Sequence, residues 1–147
     1  MSADLTVKKV REFNRFYMPR MNLLGNHYLG SGYSATEARV LFEIHENPGC
    51  NAAYIAQAMN IDKSYLSRII FAHEKNGYLL KTTSSQDRRS YELRLTEKGT
   101  KLAEGFIDAS SEEIAKILSL LTQDEKKRIE DAMATIMEML SKGDDTQ

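Results

Sequence analysis

One cysteine, Cys50, in a chain of 147 residues excludes an intramolecular disulfide framework. The three histidines, His27, His45 and His73, are scattered without metal-ligand spacing, so neither a metal nor a cofactor is expected. No apolar run approaches the roughly 18 residues that crossing a bilayer requires. The start of the chain, Asp4 followed by Lys8, Lys9 and Arg11, is too charged for a signal peptide. The expected location is therefore the cytoplasm, away from any membrane. Gly30-Ser31-Gly32 lacks the third glycine and the preceding strand of a dinucleotide fingerprint, and no phosphate-loop lysine follows a glycine. With neither paired carboxylates nor a serine, histidine and carboxylate set in any motif, the chain does not read as an enzyme.

What is present is an uneven spread of charge. The net charge is only -1, yet residues 62–101 carry nine basic and five acidic side chains, and residues 102–147 carry five and eleven. A basic middle and an acidic final third fit a chain whose middle faces phosphate while its end packs elsewhere.

The length suits one domain, and periodicity divides it into six helices and a hairpin. Val7, Val10, Phe13, Phe16, Tyr17, Met21 and Leu24 form one stripe, predicting a long first helix from Leu5 to about Tyr28 with a kink or break at Pro19. Ser34-Ala35-Thr36-Glu37 is a capping box that opens a second helix, which Asn47-Pro48-Gly49 stops. A third helix is expected from Ala52 to Met59, a turn at Asn60-Ile61, and a fourth from Lys63 to about Asn76 capped by Asp62. Tyr78 to Thr83 and Tyr91 to Leu95 have strand character. Thr96 caps a fifth helix reaching about Leu121, and the box Thr122-Gln123-Asp124-Glu125 opens a sixth, with Ile129, Met133, Ile136, Met137 and Leu140 inward.

The third and fourth helices around a tight turn read either as a helix-turn-helix or as an ordinary helical hairpin. The polar, basic hairpin that follows favours the first: a winged helix-turn-helix, mainly α with a small β wing. The expected layout is a DNA-binding unit over 34–96, with dimerisation helices over 5–28 and 97–141. Their apolar stripes exceed what one small winged unit can cover, so a two-fold homodimer is expected. A bundle of these helices within one chain is the alternative.

Asp87-Arg88-Arg89-Ser90-Tyr91-Glu92-Leu93-Arg94-Leu95-Thr96, followed by Gly99, resembles the D-x-R-x-x-x-x-x-L-T wing signature of the MarR (multiple antibiotic resistance regulator) family of transcription factors. Tyr65-Leu66-Ser67-Arg68-Ile69-Ile70 resembles that family's recognition helix, and Glu74-Lys75-Asn76-Gly77-Tyr78 the segment leading into its wing. Arg11 to Tyr17, Tyr33 to Leu41 and Asp62 to Arg68 are further similar to the regulatory half of MarR–acetyltransferase fusion proteins. With the chain ending at Gln147, no acetyltransferase activity is expected. The resemblance implies a homodimeric regulator of transcription, expected to be a repressor, that binds a palindromic operator in double-stranded DNA and responds to a small aromatic or lipophilic effector.

On the fourth helix, Lys63, Ser64, Ser67 and Arg68 are the expected DNA contacts: helix amides and Lys63 for phosphate, the planar fork of Arg68 for a guanine edge. Tyr65 is expected to pack between helices. In the wing, Arg89 is expected in a minor groove, oriented by Asp87, with Arg88 and Ser85 on phosphate. Tyr17, Met21, His27, Tyr28 and Tyr33 can line an effector pocket, or simply pack as core. Two alternatives stay open: a redox-sensing regulator acting through Cys50, and a winged-helix protein-interaction module that never touches DNA. Against the first stands the absence of a resolving cysteine, and against the second the basic wing tip.

Overall fold

A computed structural model describes residues 2–84, 86 and 89–144, with side chains from residue 5 onward. The chain divides into two compact units, Met1–Ala109 and Ser110–Gln147. The first holds α1 (Ser2–Arg20), α2 (Ala35–Glu46), α3 (Ala52–Met59), α4 (Lys63–Lys75), β1 (Leu79–Thr83), β2 (Tyr91–Leu95) and the start of α5 (Glu97–Leu118). The second holds the end of α5 and α6 (Gln123–Leu140).

The first helix is shorter than its hydrophobic period suggested, ending at Arg20 rather than near Tyr28. Met21 N–H still reaches the Tyr17 carbonyl at 2.9 Å, but Asn22 then turns left-handed at φ 60°, and Asn22 and Leu23 N–H cap the Pro19 and Met18 carbonyls at 3.2 and 2.9 Å. After Arg20 the chain forms only a single 3-10 turn, Tyr28–Gly30. By contrast α2 starts where its capping box predicts. The Ser34 hydroxyl accepts from the Glu37 amide at 3.1 Å, and the Glu37 carboxylate accepts from the Ser34 amide at 2.8 Å.

The core of this unit joins Val40 and Ile44 of α2, Ile55 and Ala56 of α3, Leu66, Ile69 and Ile70 of α4, Leu79 of β1 and Leu93 of β2. Burying a side chain of this size stabilises the fold by roughly 1.5–3 kcal/mol, so these few contacts fix the helix-turn-helix against the hairpin. The strands pair antiparallel, with Leu79 opposite Leu95 and Thr83 opposite Tyr91. A third segment lies along β2: Gly49 N–H donates to the Leu93 carbonyl, and Leu93 N–H to the Cys50 carbonyl, both at 2.8 Å.

Thr96 locks the end of the hairpin onto α5. Its amide donates to the Tyr78 carbonyl at 3.0 Å and its hydroxyl to the Gly77 carbonyl at 2.6 Å, while the hydroxyl oxygen accepts from Gly99 N–H at 3.0 Å. In the second unit, α5 stops at Leu118, short of the expected Leu121, and Thr122 and Glu125 form the reciprocal cap of α6. No residue of α6 is buried: Ile129, Met133, Ile136, Met137 and Leu140, expected inward, are exposed in the single chain.

Candidate nucleic-acid interface

The turn between α3 and α4 is made by Asn60, left-handed at φ 52°, and closed by Ile61 N–H donating to the Ala56 carbonyl at 3.1 Å. Asp62 then caps α4, its carboxylate accepting from the Ser64 and Tyr65 amides at 3.0 and 3.2 Å. Two of the amides expected to hold phosphate are therefore already satisfied by this carboxylate, which leaves the anchoring to side chains.

Leu66, Ile69, Ile70 and His73 turn one face of α4 into the core, and Lys63, Ser64, Ser67 and Arg68 all stand exposed. Among the described residues Arg68 forms no ion pair; its guanidinium lies 5.9 Å from the ring centre of Tyr65. Tyr65 does not pack between helices as expected, because it stays 39% exposed beneath that guanidinium. A cation–π contact of this kind uses none of the Arg68 donors.

The wing rises beside α4. Ser84 N–H donates to the Ser90 carbonyl at 3.0 Å, closing the hairpin below its tip. Ser85, Asp87 and Arg88 lie outside the described residues, so the expected Asp87–Arg89 pairing and the two phosphate contacts fall there as well. Arg89 is exposed and, with Ser67, lines a cleft of about 370 Å³ between the start of α3, α4 and the hairpin. Asn51 and Lys81 line the same cleft. Neither was singled out from the sequence; the strand register sets Lys81 opposite Leu93. Its ammonium lies 4.8 Å from the Tyr91 ring centre.

A second cluster lies in the first unit, around His73. The Tyr33 and Tyr78 hydroxyls share a hydrogen bond at 2.7 Å, which with burial pushes the Tyr33 pKa up to about 12. Tyr28 and Tyr33 both approach Phe106, at ring-centre distances of 5.8 and 6.1 Å. Two of the five expected effector residues are thus brought together, around a phenylalanine the sequence reading did not include. Tyr17 stacks instead on Phe13 at 5.2 Å, and His27 hydrogen-bonds the Ser31 carbonyl at 3.1 Å. Met21 is half-buried. Buried His73 bonds the Glu37 carbonyl through Nε2 at 3.0 Å, while burial lowers its pKa and Nδ1 has no partner.

Cys50 sits half-buried in the bridge to β2, and burial raises its thiol pKa, which keeps it protonated and slow to oxidise. Among the described residues no cluster of histidine, cysteine and carboxylate side chains could hold a metal. No described helix is long and apolar enough to cross a membrane.

A helix-turn-helix whose outward helix face is polar and basic, flanked by a two-stranded hairpin, defines a winged helix-turn-helix protein. Residues 33–91 match the model of the MarR family. The HTH-type transcriptional regulator YfiV of Bacillus subtilis is 22% identical over 144 residues, 95% of this chain and 90% of that protein. A MarR transcriptional regulator from Methanosarcina mazei superimposes with a TM-score of 0.72 at 22% identity, covering 92% of this chain and 95% of that one. Streptococcus pneumoniae FabT, solved in complex with DNA, gives 0.71 at 18% identity over 96% and 98%. Residues 33–91 thus resemble the MarR family, and the fold is the winged helix-turn-helix that these solved regulators share.

Proposed function

We propose that the chain acts as a cytoplasmic homodimer, a repressor that binds a palindromic operator and is modulated by a small aromatic or lipophilic effector. One observation carries the reading: Ser67 of α4 and Arg89 of the wing line one cleft, beside the exposed Lys63, Ser64 and Arg68. Helix and hairpin can then engage one stretch of duplex, α4 in a major groove and Arg89 in the minor groove beside it. The solved complex of FabT with DNA, on the same fold, supports the assignment. The exposed stripes of α1 (Leu5, Val10, Phe13 and Phe16) and of α6 (Ile129, Met133, Ile136 and Leu140) support dimerisation. A two-fold dimer repeats its reading helix about one helical turn along the duplex, so half-site centres should lie roughly 10 bp apart or slightly more. The aromatic group Tyr28, Tyr33 and Phe106 is the part of the molecule suited to an apolar effector.

Selection of bound sequences from a random duplex pool tests binding, palindromy and spacing together. Enrichment of an inverted repeat by a dimeric protein supports the proposal. A strict monomer that ignores every duplex at low ionic strength overturns it.

A further inference from the structure

The most exposed aromatic side chain among the described residues is Phe71, 65% exposed, and it lies on α4. Helical residues advance by about 100° each, so positions 64, 68, 71 and 75 fall within roughly 60° of one another. That stripe, Ser64, Arg68, Phe71 and Lys75, points directly away from the buried Leu66, Ile69, Ile70 and His73. Phe71 follows Ser64 by two turns, about 10.5 Å along the axis. This is a span of about three base pairs on a duplex.

A large ring in such a place gains nothing for the fold. It is also a poor patch for docking a protein, because its neighbours on the stripe are a hydroxyl and two cations rather than further apolar groups. The same cations match a phosphate-lined groove. Within a major groove the apolar group on a base edge is the C5-methyl of thymine, while adenine, cytosine and guanine present donors and acceptors there. A phenyl ring pressed on those polar edges would strip their water without replacing a hydrogen bond, whereas on a methyl group it buries apolar surface on both sides.

We infer that Phe71 is a specificity-determining residue that selects thymine at one position of each half-site by packing its ring on the C5-methyl group. The inference rests on the DNA-binding reading above and deepens it. No covalent change in either partner is involved.

The probe is the duplex that the wild-type protein enriches from a random pool, with each thymine replaced in turn by deoxyuridine, which removes only the methyl. At one position, uracil should weaken wild-type binding about fourfold per half-site and about fifteenfold when both half-sites carry it, the value of one buried methyl group each. Phe71→Ala should bind the thymine duplex more weakly and show no further loss with uracil at that position, while remaining sensitive to changes elsewhere. Since Phe71 is exposed, its thermal midpoint should match wild type; Phe71→Gln, a good helix former, provides the same comparison independently. Uracil effects that are absent from wild type, or equal in wild type and both variants, overturn the inference while leaving DNA binding standing. Failure of the wild-type protein to enrich any duplex overturns both.

Discussion

The carbonyl oxygen of Tyr78 occupies the space that a Cβ on Gly99 would need. This contact sets the first turn of α5 directly on the chain between α4 and β1, where Thr96 adds its bonds to Gly77, Tyr78 and Gly99. The glycine is required by close approach, because its backbone dihedrals are helical. Gly99→Ala must push backbone against backbone and should cost about 2–3 kcal/mol, the upper range for overpacking. A urea unfolding midpoint unchanged from wild type would show that α5 is not seated there.

His73 gives stability a defined dependence on pH. Its ordinary pKa is 6.5; burial lowers it, and its Nε2 bond to the Glu37 carbonyl favours the neutral tautomer that leaves Nδ1 bare. Its contribution is fully present above pH 6.5. As pH falls through 6.5 the unfolded chain takes up a proton that the folded chain refuses, so stability drops until the folded-state value is passed. Urea titrations from pH 8 to pH 5 should show this loss in wild type and its removal in His73→Gln. Parallel curves for the two proteins would contradict the assignment.

The Tyr33–Tyr78 bond should be visible in ultraviolet titration. One tyrosine is expected to resist ionisation until about pH 12, and Tyr78→Phe should return it toward 10 because the shared hydrogen bond is the largest cause of the shift. The same substitution should destabilise the fold by about 1 kcal/mol. An unchanged tyrosinate curve would mean that the two hydroxyls do not meet in solution.

On DNA, the two arginines should separate by type of contact. Arg89→Ala is expected to weaken binding to every sequence and to flatten the slope of log K against log salt by about two for a dimer, one per protomer. Arg68→Ala should instead relax preference at one position of each half-site, by about 1–3 kcal/mol. Binding isotherms over a salt series, on the enriched duplex and on single-position variants, distinguish the two patterns. The reverse pattern would exchange the roles of helix and wing.

Phe16 is 59% exposed on the stripe of α1, where a charge costs the single chain little. In a dimer that covers the stripe, an unpaired carboxylate costs several kcal/mol, so Phe16→Glu should raise the dissociation constant at least about tenfold. Sedimentation of the variant beside wild type measures this. Equal dissociation would place the dimer contact on another surface.

Most of the winged unit was legible because its signals are local. Capping boxes fixed the starts of α2 and α6, Asp62 fixed that of α4, and strict alternation fixed β2. Helix ends were less legible. The stripe continuing to Leu24 suggested helix beyond Pro19, whereas a left-handed Asn22 closes the helix just after Arg20. Features that depend on distant partners were not readable at all: the Cys50–Leu93 bridge joins segments some 40 residues apart, and Phe106 reaches Tyr33 from α5. Lys81 and Asn51 escaped notice for the same reason, since only the folded hairpin brings them to the cleft beside Ser67. Tyr65 was misplaced because a tyrosine's spacing does not reveal that a neighbouring guanidinium will sit over its ring.

The seam between Gly49-Cys50 and Leu93 ties the entrance of α3 to the inner strand of the finger. Tilting α3 should therefore carry the hairpin with it. A displacement of the loop between α2 and α3 would thus reach the wing through the strand to which it is bonded.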